Sequence, residues 1–364
     1  MANIGIIGWG YVGSATGQGF ARNKKNKIFR FDKYKKSPHT LDEVVEESEF
    51  IFICLPTPMF RDYSGMDISI VETVVADIAP RISGGKKIII IKSTVLPGTT
   101  ASLAKKYPKV NFAMNPEFLT QDSAYKDFLN PQRTVIGTSN LDAARRIKGL
   151  YQTILPKGQK YFLTDPTSAE LAKYMSNLML ASKALLANEF YELAESVGAN
   201  YDEVRKMVES DARIGSHLKV PGPDGDLGFG GACFPKDMIG LLAFAKEKKV
   251  DMSAMEAIWN KNLKIRKVRD WEKMDNAFGR GSSNERGNKG ITGIKEKIII
   301  SRKSELKFEY INWEGKKAVR TVRPIRIWHG KTQWHPQEGW LLKAIDLDKN
   351  EERDFSVKDI IRFL

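Results

Sequence analysis

The sequence predicts an α/β protein: a doubly wound, mostly parallel sheet, then an all-helical segment around one long helix, then a small all-β module. Three observations carry this. Short apolar runs alternate with helical patterns through residues 1–165, as in a parallel sheet covered on both faces. From Asp165 the chain runs without a helix breaker until Gly198. Past a polar, glycine-rich stretch at 278–290, the pattern changes to short β-type runs. The expected domains are 1–165, a helical domain at 166–276, a flexible linker at 277–290 and a β module at 291–364.

The first apolar run, residues 3–7, leads into Gly8-Trp9-Gly10-Tyr11-Val12-Gly13 and a helical stretch to about Arg22. In that strand–turn–helix setting Gly8 permits the turn, Gly10 lets a pyrophosphate approach the backbone, and Gly13 lets helix and strand pack closely. The pyrophosphate would sit on the unpaired N–H groups of the helix N-terminus. A second strand at 27–31 ends in Asp32, 19 residues after Gly13. An acid there accepts from ribose hydroxyls and repels a 2′-phosphate, so the expected cofactor is NAD on a Rossmann-type sheet. Arg30, Lys33, Lys35 and Lys36 stand close enough in sequence to neutralise a phosphate. Further strands are read at 49–55, 86–91, 112–114, 134–137 and 160–163, with a helix at 71–82. The glycine turn, Thr57, Thr94 and Glu117 all fall at strand C-termini, the rim where such sheets bind ligands.

The long helix is apolar on more than one face (Leu171, Tyr174, Met175, Leu178, Met179, Leu185, Leu186), which predicts a buried central spine. Lys173 and Asn177 project together from it, four residues apart. A buried ammonium needs a partner. Either Glu170 supplies a structural ion pair, or Lys173 serves a site where negative charge develops on an oxygen. The spacing does not choose between them.

The stretch Gly228-Phe229-Gly230-Gly231-Ala232-Cys233-Phe234-Pro235-Lys236-Asp237 combines a glycine-rich turn, a thiol and a proline suited to a first helical turn. A thiol just before a helix starting near Pro235, beside Lys236, is expected to be acidified and nucleophilic, with Asp237 as an acid/base partner. The competing reading is a small buried core cysteine.

Net charge is +14, and residues 261–364 hold 25 Lys/Arg against 15 Asp/Glu. That basic segment is either a solvated surface or a face for nucleic acid or another polyanion. Trp313, Trp328, Trp334 and Trp340 within it could stack on bases or form an aromatic core. His329 and His335 lack partners at metal-ligand spacing, so no metal is expected. Two cysteines exclude a disulfide framework and point to a reducing, cytoplasmic setting. The N-terminus lacks the basic start of a signal peptide, and no apolar run approaches membrane-spanning length.

From residue 1 to about 271 these motifs, in order, resemble the UDP-glucose/GDP-mannose dehydrogenases, which oxidise a sugar-nucleotide C6 alcohol to a carboxylate with two NAD+. The resemblance rests on the glycine turn, Leu55-Pro56-Thr57-Pro58, Lys92-Ser93-Thr94-Val95, Asn115-Pro116-Glu117-Phe118-Leu119, the Glu170/Lys173/Asn177 spacing, Arg213-Ile214-Gly215 and the cysteine stretch. It implies Cys233 as nucleophile, Lys173 and Asn177 as oxyanion donors, Thr94 and Asp237 around a water, and Glu117 as general acid/base. It implies cofactor contacts from Gly8, Gly10, Tyr11, Val12, Gly13, Asp32, Thr57, Ser93, Thr94, Gln121 and Lys236. It implies nucleotide-sugar contacts from Glu117, Phe118, Leu119, Lys173, Asn177, Phe229, Gly230 and Arg213, the last reaching in from a neighbouring subunit of a homodimer built on the spine helix. Three departures stand out. Gln121 replaces the family's usual acid, the loop at 219–226 is rich in Gly and Pro, and the family's C-terminal nucleotide-binding domain does not follow a connecting helix at 255–273. In its place, Val322-Arg323-Pro324-Ile325-Arg326-Ile327-Trp328 and its surroundings look similar to SH3/Sm-like WYL ligand-sensing modules. Two functions are compatible with this: an NAD-dependent nucleotide-sugar 6-dehydrogenase of the UDP-glucose type, or a degenerate dehydrogenase fold serving as sensor or scaffold, its basic module binding nucleic acid or a protein.

Overall fold

The computed structural model describes residues 1–82, 85–120, 122–278, 305–312, 316–332 and 335–363. The chain divides into two compact units, Met1–Glu285 and Arg286–Leu364.

The first unit begins with β1 (Asn3–Ile7), α1 (Tyr11–Ala21), β2 (Lys27–Phe31), α2 (Leu41–Glu47), β3 (Phe50–Ile53), α3 (Ser69–Ile78) and β4 (Ile88–Ile91). It continues through α4 (Thr99–Lys106), β5 (Asn111–Met114), α5 (Ala124–Leu129), β6 (Thr134–Gly137), α6 (Leu141–Gln152) and β7 (Tyr161–Thr164). The strands lie in the order β2-β1-β3-β4-β5-β6-β7, parallel except where Met114 of β5 meets Gly137 of β6 antiparallel. The expected doubly wound sheet is therefore present. Strands β3 and β4 are buried along their whole length, which is why both read as unbroken apolar runs. One apolar layer gathers Phe20, Phe52, Phe128 and Tyr151; the opposite layer gathers Ile51, Ile89, Val75 and Ile78. Each such side chain contributes roughly 1.5–3 kcal/mol on burial. The order in which strands are added reverses between β1 and β3, which places a ligand crevice at the C-terminal ends of those two parallel strands.

Helix α7 spans Pro166–Val197, with the Asp165 carboxylate accepting from the Ser168 N–H (2.9 Å) and Gly198 closing it at φ 72°. Then come α8 (Tyr201–Glu209), α9 (Cys233–Glu247), α10 (Ser253–Ile265) and α11 (Asp275–Phe278). The expectation of a fully buried spine is corrected. Tyr174, Leu178 and Leu185 are buried, but Leu171, Met175, Met179 and Leu186 are exposed, and the stripe continues through Phe190, Leu193 and Val197. These exposed positions recur at intervals of three, four or seven residues along one side, so the second apolar face is a stripe this chain leaves uncovered rather than core. The helix expected at 255–273 also ends earlier. Arg266 takes extended backbone at the end of α10, its buried guanidinium turns back toward the cysteine loop, and Asp270–Lys273 forms a separate 3-10 turn. Ala277 and Phe278, expected in the linker, are the buried end of α11; the Met59 N–H donates to the Ala277 carbonyl. Residues 279–290 of that linker, and the start of the expected β module at 291–304, lie outside the described residues.

The second unit contains β8 (Leu306–Ile311), β9 (Lys317–Thr332), β10 (His335–Asp346), β11 (Glu351–Ser356) and β12 (Ile360–Phe363). They form an antiparallel sheet in the order β11-β10-β9-β8-β12, with a 3-10 turn, Val357–Asp359, before the last strand. Phe308, Tyr310 and Phe355 form its aromatic core through edge-on contacts. Trp340 lies at the surface of β10. Trp313, Trp334 and the side chains of Trp328, His329 and His335 lie outside the described residues. Among the described residues no group of His, Cys, Asp or Glu gathers at metal-binding distance, and no helix is long and apolar enough to cross a membrane.

Candidate active site

The glycine turn lies at the switch point of the sheet. Gly8 holds φ 93°, and a Cβ there would come within 2.4 Å of the Cys54 carbonyl oxygen. A Cβ on Gly13 would meet the Gly8 carbonyl oxygen at 1.9 Å, so neither position admits a side chain. Gly10 faces open space and caps α1 without a side-chain hydrogen bond, leaving the first-turn N–H groups for a ligand. Asp32 braces the turn from the end of β2: one carboxylate oxygen accepts from the Trp9 N–H (2.7 Å), the other from the Tyr34 N–H (2.9 Å). Lys35 Nζ donates to the Trp9 carbonyl (2.8 Å), and the Arg30 guanidinium lies 4.5 Å above the Trp9 ring. Ser93 Oγ accepts from the Leu55 N–H and can donate to the Leu55 carbonyl (2.8 Å) or the Ile53 carbonyl (3.2 Å), which ties the Thr57 loop to the Thr94 loop. Thr57 is buried, Thr94 and Val12 are half-buried on this rim, and Gln121 lies outside the described residues. An open glycine, a free helix N-terminus and an acid at the end of β2 suit a dinucleotide. The residues present fit NAD.

The thiol stands beside this turn. Cys233 is the first residue of α9, so the helix starts two residues earlier than expected. Its Sγ lies 3.6 Å from the hydroxyl of Tyr11, the first residue of α1. One turn along α9, buried Asp237 accepts from Lys236 Nζ and from Asn177 Nδ2, both at 2.6 Å. The expected acidification of the thiol does not follow. Burial and the neighbouring Asp237 carboxylate hold the Cys233 thiol above its ordinary range, with Lys236 and Lys173 opposing only in part. Burial is the larger cause, and the Asp237 carboxylate paired with Lys236 offsets that lysine's field at the sulfur. Burial, Glu117 and Cys233 likewise hold the Tyr11 phenol far above its ordinary range.

Lys173 pairs with neither solvent nor Glu170. Its Nζ donates to Glu117 Oε1 at 2.9 Å, and both side chains are buried. Glu117 Oε2 accepts from the Leu119 N–H (2.7 Å). Burial works against the Lys173 ammonium, but Glu117 and Asp237 outweigh it and hold the group above an ordinary lysine. The Glu170–Lys173 ion pair, one of the two readings the spacing allowed, is not formed. Glu170 instead caps α4, accepting from the Gly98 N–H (2.5 Å) and the Thr100 N–H (2.8 Å), and so ties the loop that carries Thr94 to the helix that carries Lys173.

Other residues shape the site without having been singled out. Asn188 accepts from the Gly228 N–H, Asn262 both accepts from the N–H and donates to the carbonyl of Phe229, and Asp270 accepts from the Gly231 N–H. Arg266 binds Asp224, Asp270 and the Leu227 carbonyl, so α7 and the end of α10 together hold the glycine loop. A Cβ on Gly228 would strike Asn262, and one on Gly230 would strike the Arg266 guanidinium at 2.0 Å; only Gly231 faces open space. Phe229 is buried, its ring against Phe234 and Trp259, so its place and that of Gly230 are accounted for by packing. Phe118 lies under the Arg133 guanidinium at 4.0 Å, and Leu119 packs on the sheet core. Arg213 extends into solvent and pairs with Asp211 rather than with any member of the thiol cluster. Lys92, a lysine directly after the apolar β4 run, is buried and donates to Asn115 Oδ1 (3.0 Å); burial pushes it down to about 8.

A glycine turn at the switch point of a parallel sheet, with a thiol and two buried ammonium–carboxylate pairs against it, defines a dinucleotide-binding fold of the dehydrogenase class. Residues 33–155 match the NAD-binding domain of the UDP-glucose/GDP-mannose dehydrogenase family, and residues 167–264 match its central domain. The chain belongs to this family through these two domains. It is 33% identical over 294 residues to a UDP-glucose 6-dehydrogenase of Rickettsia prowazekii (strain Madrid E), covering 71% of this chain and 66% of that protein. It is 31% identical over 303 residues to a UDP-glucose 6-dehydrogenase of Bacillus subtilis (strain 168), covering 73% and 64%. A UDP-glucose dehydrogenase structure from Pyrobaculum islandicum superposes with a TM-score of 0.64 at 29% identity, over 72% of this chain and 68% of that one. The chain thus spans slightly under two thirds of the length of the curated relatives it matches.

Proposed function

We propose that the protein is an NAD-dependent dehydrogenase that oxidises the C6 alcohol of a nucleotide sugar to the carboxylate through a thioester on Cys233. The observation that carries this reading is the contact between the two halves of the chemistry. Tyr11, inside the glycine turn, touches the Cys233 sulfur, so a dinucleotide held on that turn lies beside the nucleophile. Bound NAD+ supplies the hydride acceptor for each of two oxidations, alcohol to aldehyde and thiohemiacetal to thioester. Between them the Cys233 sulfur bonds to the aldehyde carbon while the carbonyl oxygen takes up a proton. Lys173 and Asn177 each have N–H groups beyond those used on Glu117 and Asp237, and these donate to the oxygen as charge develops on it. Asp237 and Thr94 position the water that cleaves the thioester, and Glu117 moves its proton. Cleavage releases the carboxylate and restores the thiol.

UDP-glucose is the first substrate to assay, since the relatives at 31–33% identity are UDP-glucose 6-dehydrogenases. GDP-mannose and UDP-N-acetylmannosamine follow. The expected result is two NADH per sugar with wild type and none with Cys233→Ser. Steady two-NADH turnover by that variant would refute the nucleophile; no turnover with any nucleotide sugar would refute the activity. We further propose that the exposed stripe on α7 pairs with a second copy of this chain as a homodimer, because seven apolar side chains at helical spacing are otherwise left in water. Sedimentation of wild type against Met175→Lys/Met179→Lys tests this, and a wild-type monomer at micromolar concentration would sink it.

A further inference from the structure

We propose that Arg133 is a substrate-binding residue, its guanidinium donating to the phosphate oxygens of the nucleoside diphosphate in the nucleotide sugar. The inference rests on the reading of the substrate as a nucleotide sugar and adds a side chain outside the expected set of contacts. Four features of the structure lead to it.

The first is position. Arg133 directly precedes β6, and Met114 of β5 pairs with Gly137 antiparallel, so residue 133 comes opposite residue 118 in the loop that carries Glu117. There the guanidinium lies 4.0 Å from the centre of the Phe118 ring, and Lys173 Nζ lies 5.6 Å from the same centre. Arg133 thus stands beside the cluster in which the sugar would react. The second is charge. Lys173 and Lys236 are bound to carboxylates inside the site, and Arg213 is bound to Asp211. Among the described residues Arg133 meets no carboxylate; burial pulls its pKa down and no neighbouring charge opposes the shift. A desolvated cation of this kind gains from an anion brought to it. The third is spare donors. Arg133 gives one N–H to Ser176 Oγ (3.0 Å), whose own proton goes to the Ala172 carbonyl, and a guanidinium has five. The fourth is preorganisation. Phe118 beneath the plane and Ser176 at its edge hold the fork in one orientation, so little freedom remains to be lost on binding. A planar, charged fork suits phosphate, whose oxygens it can take two at a time.

The test is calorimetric titration of the full chain with UDP, and with GDP in parallel, since these carry the diphosphate without the sugar. Arg133→Gln is expected to weaken the diphosphate about tenfold to a hundredfold, as loss of a hydrogen bond to a charged group requires, with NADH affinity by fluorescence changed less than about twofold. In turnover with UDP-glucose the loss is expected in KM far more than in kcat, because the phosphate is held alike before and during the reaction. Arg133→Lys keeps the charge without the fork and is expected to bind about three- to tenfold more weakly than wild type; it carries the test should the Gln variant fold poorly. Unchanged UDP and GDP affinity in folded Arg133→Gln, or in Arg133→Lys where that variant carries the test, overturns the proposal. A fall in kcat as large as the fall in kcat/KM also overturns it, for Arg133 would then only brace Phe118 and Ser176. If wild type binds UDP or GDP but oxidises no nucleotide sugar, the proposed activity falls while the titration still decides Arg133. If wild type binds neither, the nucleotide-sugar reading falls and the role of Arg133 falls with it.

Discussion

Replacing Lys173 by Met isolates the buried ion pair on which the site is built. Lys173 and Glu117 meet at 2.9 Å with almost no exposed surface, so the substitution leaves a carboxylate in the interior with, among the described residues, the Leu119 N–H as its hydrogen-bond partner. Breaking a buried pair from one side costs roughly 3–5 kcal/mol, mostly because the remaining charge is unsatisfied. The double variant Lys173→Met/Glu117→Gln removes both charges, and the Gln carbonyl can still accept from Leu119. Much of the loss is therefore expected to return, leaving the double variant within roughly 1–2 kcal/mol of wild type. Urea unfolding followed at 222 nm reads this out, since the helices belong to the first unit. The single-variant deficit is also expected to narrow as pH falls, because an unpaired buried carboxylate can discharge by taking a proton. A single variant as stable as wild type, or a double variant no better than the single one, would refute the claim that this pair is mutually dependent.

Two further outcomes follow from the geometry. Gly10→Ala puts a methyl into open space, so melting is expected to stay within about 1 kcal/mol of wild type while NAD affinity, by fluorescence titration, falls at least tenfold; unchanged affinity would refute pyrophosphate approach at that glycine. Lys92 is held down at about 8, so below that pH the folded state carries a buried charge that the unfolded chain does not. Stability from this group rises as pH climbs from about 8 toward the ordinary lysine value of roughly 10.4. Lys92→Met is accordingly expected to be more stable than wild type at pH 7, by up to about 3 kcal/mol before lost bonds to Asn115 are counted, with the gain shrinking by pH 10. Chemical denaturation at the two pH values checks the sign; a variant destabilised equally at both would contradict it.

What could be read in the chain was whatever local rules control. The glycine turn, Asp32, the β3 and β4 runs and the Asp165 and Gly198 caps announce themselves through backbone sterics, period and capping chemistry, and all are in place. Pairings across long sequence separations could not be read. Nothing near Lys173 announces Glu117, 56 residues away, and the nearer Glu170 offered a plausible wrong partner. The true task of Glu170 depends on the end of α4 reaching α7. The stripe on α7 was misread for a related reason: periodicity shows that a face is apolar, not whether this chain covers it. Asn188, Asn262 and Arg266 gave no signal either, because a side chain that holds a loop by its backbone looks in sequence like any polar residue on a helix.

The misjudged acidity of the thiol has the most consequence for mechanism. A lysine three residues after a cysteine lowers its pKa only if that lysine's charge is free to act, and here Asp237 takes it. Two ammonium groups and two carboxylates already balance the site, so a thiolate would be a fifth charge with no opposite to meet it. A site of this kind gains little from a resting thiolate, and more from donors that respond as charge appears. Under the proposed function, the spare N–H groups of Lys173 and Asn177 would do this for the oxygen. The same balance accounts for the ordering of the loop. The cysteine must reach this neutral setting from a backbone held by Asn262 and Arg266, and the glycines at 228 and 230 are the residues that let those side chains come close enough to hold it.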